Sequence, residues 1–142
     1  MLYIRDIEEI IENTLQEHQL TIDYEMNNKL LAPMSYNVTT NTIKFNYLQI
    51  NGYIANINFK IKESDEDCVK IILYRQLGYY LEFKNNKHDL RVLKYFEDEE
   101  KARLLAKIEK NAWDSGRTLV PEKLVNSYDK VRELDKMLLK NY

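Results

Sequence analysis

Apolar residues recur at intervals of three and four through most of the chain and alternate with polar ones only in two short stretches. Residues 2–17 place Ile4, Ile7, Ile11, Thr14 and Leu15 on one side with acids between them, which predicts an amphipathic helix with an acidic outer face. "LTIDYE" at 20–25 alternates Leu20, Ile22 and Tyr24, the pattern of a short strand, and "MNNK" follows as a turn. "TIKFN" resumes the alternation with Ile43 and Phe45, so this region reads as a hairpin-like pair of strands, with Pro33 suited to a strand start or an edge. From Tyr47 to Phe59 the helical spacing returns, despite Gly52 and several Asn. Residues 66–84 predict a further, largely buried helix, with Ser64 or Asp65 as its N-cap and acids in its first turn. "KNNKHD" breaks it, and 89–96 reads as a connector carrying Leu90, Val92, Leu93, Tyr95 and Phe96. A helix through "EDEEKARLLAKIEKNAWDSGRTL" follows. Pro121 then suits the first position of a last helix with the stripe Leu124, Tyr128, Val131, Leu134 and Leu138. The layout is α+β and helix-rich, with a small antiparallel or mixed sheet.

Composition narrows this further. The chain has 142 residues, 44% hydrophobic and 31% charged, which suits one globular domain spanning residues 1–142. A net charge of −2 with interleaved signs argues against a general nucleic-acid surface. A single cysteine, Cys68, excludes an internal disulfide and any C-x-x-C motif, and reads as a small apolar or partly exposed thiol. The N-terminal stretch is too acidic for a signal peptide, and no apolar run is long enough to span a bilayer, so the expected location is cytoplasmic. Eleven tyrosines are many for this length. They read as core and boundary packing, with a recognition surface as the alternative.

The centre of "KIILYRQLGYYLEF" at 70–83 holds the candidate chemistry. On a helix, residues 75 and 79 share a face and residue 76 flanks it. Two His and one Glu at these positions would make H-E-x-x-H, in which two imidazoles bind zinc and a carboxylate activates the metal-bound water. Here the three positions hold Arg75, Gln76 and Tyr79, inside an intact frame of apolar flanks and Leu77-Gly78. The frame resembles the site helix of the small zinc metallopeptidase-like families of the gluzincin kind, found in bacteria and their mobile elements. Two other segments carry the resemblance. "NTIKFN" at 41–46 is similar to the edge strand on which such domains hold peptide, and "EKNA" at 109–112 is similar to the E-x-x-A whose Glu is the third zinc ligand. Glu99 to Ala102 fits the same pattern, so the third-ligand position is open between Glu109 and Glu99.

The resemblance implies a zincin-like fold with an active-site-type helix at about 66–84. The departures imply that catalysis is lost. Guanidinium stays protonated and does not ligate cations, and an amide cannot act as the base. Tyr79 would need to ionise far below its ordinary pKa to bind metal. His18 and His88 have no partner His at ligand spacing and read as surface or capping residues. The expectation is a pseudoenzyme without metal or cofactor. Arg75 replaces the zinc charge and pairs with Glu109, or with Glu99, and Gln76 and Tyr79 complete a polar patch. Its work would be binding a protein partner, as a regulator or inhibitor of phage or mobile-element origin, through the cleft, Tyr80 and the strand Thr42, Ile43, Lys44 and Phe45. Three alternatives stand beside this. "RQLGY" is the solvent edge of a half-buried helix, with Gly78 admitting a neighbouring helix. The chain is a metallopeptidase with the unorthodox ligands Tyr79, Glu109 and His88. Or it is a small DNA-associated regulator, whose binding would fall steeply with salt.

Overall fold

A computed structural model, which describes residues 1–88, 91 and 97–140, the side chains of 137–140 excepted, shows five helices and three strands among those residues. In chain order they are α1 (Ile4–Glu17), β1 (Asp23–Met26), β2 (Met34–Asn37), β3 (Thr42–Phe45), α2 (Tyr47–Ile61), α3 (Asp65–Asn85), α4 (Asp98–Arg117) and α5 (Glu122–Lys140). The class is α+β, as the patterning predicts. The connector at 89–96, apart from Arg91, and the side chain of Leu138 lie outside the described residues.

The helix ends follow local chemistry. Ser64 caps α3 by accepting from the Asp67 amide at 3.2 Å, and Asp65, Glu66 and Asp67 sit in the positive first turn. Asn46 caps α2 through the Leu48 amide, and its own side-chain amide donates to the Leu30 carbonyl at 3.0 Å, fixing the turn before β2. Lys62 ends α2 in the left-handed region at φ 50°, with its N–H bonded to the Asn58 carbonyl.

The sheet is mixed, in the order β1-β3-β2. β1 runs parallel to β3, and β2 pairs antiparallel with it through Met34–Phe45, Ser35–Lys44, Tyr36–Ile43 and Asn37–Thr42. This corrects one expectation. The strand Thr42, Ile43, Lys44 and Phe45 is the centre of the sheet and not its edge. Both sides of its backbone are paired, and Ile43 and Phe45 are wholly buried, so it has no free edge for a partner strand. The free edge nearest the helices belongs to β2.

Ile7 and Ile11 of α1, Ile43 and Phe45 of β3, Ile50 of α2, Ile71, Leu73, Tyr74 and Leu77 of α3, and Leu124 and Tyr128 of α5 are fully buried in one core. α3 runs through the middle of it. α4 crosses α3 at very short range, because a Cβ at Gly78 would lie 1.9 Å from the Ala112 carbonyl oxygen and one at Gly116 would lie 2.4 Å from that of Tyr74. That crossing places α4 side chains directly over the centre of α3.

Candidate functional site

Arg75 leaves the middle of α3 toward α4 and α5. Its Nη2 donates to Glu109 Oε1 of α4 at 3.0 Å, and its Nη1 donates to Asp135 Oδ2 of α5 at 2.5 Å. Trp113 lies across the guanidinium face at 4.8 Å from ring centroid to Cζ, and Tyr53 of α2 donates its hydroxyl to Asp135 Oδ1 at 2.9 Å. Four helices thus meet on one cation. Burial alone would lower the pKa of Arg75, but Asp135, with Tyr79 and Glu109, outweighs it and holds the group above its ordinary value. The Nε of Arg75 is buried without a partner.

Of the two candidate acids, Glu109 is the one that pairs with Arg75. Glu99 sits in the exposed first turn of α4. Sequence reasoning missed Asp135, Trp113 and Tyr53 as members of the cluster. Asp135 had a readable signal: with Leu124, Tyr128 and Val131 it makes the buried stripe i, i+4, i+7, i+11 of α5, an acid in an otherwise apolar run.

Of the expected patch, Gln76 turns away and Tyr79 does not. Gln76 turns to the sheet, where its Oε1 accepts from the Tyr36 amide of β2 at 3.1 Å. That amide points away from β3, so the Gln76 side chain ties β2 to α3. Tyr79 stays beside Arg75. Burial raises its pKa and prevails over the opposing pull of Arg75, so it remains a neutral phenol, unsuited to metal ligation. Tyr80 is half-buried, edge-on to Tyr36 at 6.1 Å between centroids.

A cavity of about 410 Å³ opens above these residues. Its floor holds Arg75, Gln76 and Tyr79, and its sides come from Met34 and Tyr36 of β2 and from Ile108 and Trp113 of α4. Two exposed apolar residues, Val38 and Leu105, stand at its rim. Among the described residues of the lining, Arg75 is the one that is charged.

Neither histidine joins it. His18 ends α1, where its N–H donates to the Thr14 carbonyl, and its ring meets the Tyr74 hydroxyl at 3.4 Å. His88 is not the surface residue its loop position suggests. Its side chain is 7% exposed and its Nε2 lies 2.7 Å from Oε1 of Glu82, itself 2% exposed. Asn86 and Asn111 donate to the same carboxylate at 3.1 Å each. Burial would raise the pKa of Glu82, but Asn111, His88 and Asn86 together hold it below its ordinary value. A buried acid at the end of a helix needs such donors, and this one takes His88 away from the Tyr79, Glu109 and His88 ligand set. Among the described residues no three His, Cys, Asp or Glu side chains come together at metal-binding range, and no helix is long and apolar enough to cross a membrane.

No family model, no curated protein and no solved structure matches this chain.

Proposed function

We propose that the protein is a catalytically inactive, metallopeptidase-like domain of zincin type that acts by binding a protein partner, as a regulator or inhibitor. The observation that carries this reading is the position of Arg75. A permanent cation occupies the centre of the site helix, held by the Glu of the E-x-x-A segment and by a second acid, at the floor of an open and mostly apolar cavity. A cation there does for Glu109 what a metal would do, namely neutralise a partly buried carboxylate. It supplies neither a bound water nor a base, and Gln76 cannot provide one.

The cavity suits an extended segment of another protein. β2 is an edge strand of the sheet, its Tyr36 amide is already taken by Gln76, and the volume beside it accepts an apolar side chain. Capture experiments from the native host, with wild-type protein and with Val38→Asp and Leu105→Asp, test it. One partner held by the wild type and lost in both rim variants is the expected result. A partner retained equally by both variants removes the cavity from the binding surface.

The zincin relation has its own test. Arg75→His, Gln76→Glu and Tyr79→His introduced together should let the folded protein bind about one zinc ion, with Glu109 as third ligand. Calorimetric titration of the triple variant reads this directly, and a folded triple variant that binds no zinc would argue that the frame is coincidental.

A further inference from the structure

The helix α2 is apolar on two opposite sides. One side, Ile50, Ile54, Ile57 and Ile61, is buried in the core. The other carries Leu48, Gly52, Ala55 and Phe59 at i, i+4, i+7 and i+11, all exposed, with Leu48 at 54% and Phe59 at 67%. No charged residue lies between Tyr47 and Phe59 in a chain that is 31% charged. Gln49, Asn56 and Lys60 on one flank and Asn51 and Asn58 on the other separate the two stripes, so the outer one is a second apolar face and not a continuation of the core. Leu2 is tied to Asn51 in both directions, N–H to Oδ1 at 2.9 Å and Nδ2 to carbonyl at 2.8 Å, which sets Met1 and Tyr3, 67% and 65% exposed, beside the same helix.

The order of side chains indicates what covers this face. The stripe reads large, small, small, large with spacings four, three, four, and is the same read from either end. Turned about a two-fold axis between residues 53 and 54, Leu48 meets Phe59 of a second copy and Gly52 meets Ala55. Such self-complementarity is what an isologous contact requires, and the one cation at this face, Lys60, whose Nζ lies 5.8 Å from the Phe59 ring centroid, is set by the same two-fold opposite Tyr47 of the second copy and not opposite itself. The chain's own packing does not account for Gly52, since a Cβ there would meet nothing within 4 Å. Its cost to the helix, roughly 1 kcal/mol against Ala, is repaid only by a close approach from outside.

We propose that α2 is the contact of a two-fold homodimer, with the α2 helices of two copies packed antiparallel and crossing at Gly52 and Ala55. The cavity at Arg75 stays open in this dimer, because Tyr53, which lines it, points to the other side of α2. Dimerisation and partner binding can therefore fail independently.

Sedimentation velocity on the full chain, from about 1 to about 300 µM, should show a monomer–dimer equilibrium with a dissociation constant on the order of 10 µM, as suits a small interface. Gly52→Leu leaves the monomer's melting temperature unlowered and weakens the dimer about tenfold or more, and Phe59→Asp does the same to the dimer. The register is tested by mixing Leu48→Cys and Phe59→Cys proteins with diamide as oxidant. The mixed disulfide should form ahead of either homodisulfide, with the buried Cys68 taking no part. A monomer throughout the range overturns the proposal, as does a dimer indifferent to Gly52→Leu. Homodisulfides in excess overturn the antiparallel register. Binding to lipid vesicles without self-association assigns the face to another occupant and overturns the proposal as well.

Discussion

Replacing Arg75 by Met lowers the stability of the protein by about 3 kcal/mol, because it strands two carboxylates that share its guanidinium. Glu109 is bound at 3.0 Å and Asp135 at 2.5 Å by the two arms of one guanidinium, and Asp135 is only 10% exposed in its side chain. The Tyr53 hydroxyl that also reaches Asp135 cannot neutralise it. Arg75 itself is 27% exposed and Glu109 32%, so solvent softens the loss below that of a fully buried pair. Arg75→Lys should fall between wild type and Met, since one ammonium restores the charge but cannot fork to acids on two helices. Combining Arg75→Met with Glu109→Gln and Asp135→Asn should recover most of the loss, because the amides carry no charge to bury. Urea unfolding followed by circular dichroism measures all four proteins. An Arg75→Met protein within about 0.5 kcal/mol of wild type would show that the cluster is ornamental.

The pairing of Arg75 with Glu109 was legible because both ends lie in local patterns: a polar triplet inside an apolar helix, and an E-x-x-A inside a charged one. Asp135 was not, since it is 60 residues from Arg75 and only the packing of α5 brings it close. Its sign was an acid in register with Leu124, Tyr128 and Val131, while Leu134 and Leu138 drew the stripe one position aside. The helices were legible for the same periodic reason, and the cap at Ser64 from a single residue, whereas the cap at Asn46 shows only in the structure. The sheet was not. Strands of four residues carry two inward side chains each, and alternation in "TIKF" marks a strand without saying how many neighbours it has. That β1 pairs parallel with β3, across from β2, has no mark in a four-residue pattern. His88 misled for a related reason: "KNNKHD" reads as a solvated loop, and the buried Glu82 that receives the imidazole lies inside the preceding helix.

Gly78→Ala should be as damaging as the loss of Arg75, although it adds a single methyl group. A Cβ at this position would lie 1.9 Å from the carbonyl oxygen of Ala112, 2.8 Å from its carbonyl carbon and 3.0 Å from the Gly116 nitrogen. All three are backbone atoms of α4, so no side chain can rotate away and the two helices must part. Parting them is resisted from the other side, where Gly116 lies so close to α3 that its own Cβ would sit 2.4 Å from the Tyr74 carbonyl oxygen. A shift of α4 also draws Glu109 off Arg75 and Trp113 off the guanidinium face. Overpacking of this kind costs about 4 kcal/mol where backbone must move, and the better helix propensity of Ala returns roughly 1. The net loss of about 3 kcal/mol corresponds to a fall of about 10 °C in melting temperature for a chain of this length. Gly52→Ala, melted at a concentration where the chain is monomeric, is the matched control, the same substitution in a helix where nothing of the chain lies within 4 Å, and it should leave the melting temperature level or raise it. If Gly78→Ala melts no lower than Gly52→Ala, the close crossing of α3 and α4 is not what positions Glu109 over Arg75.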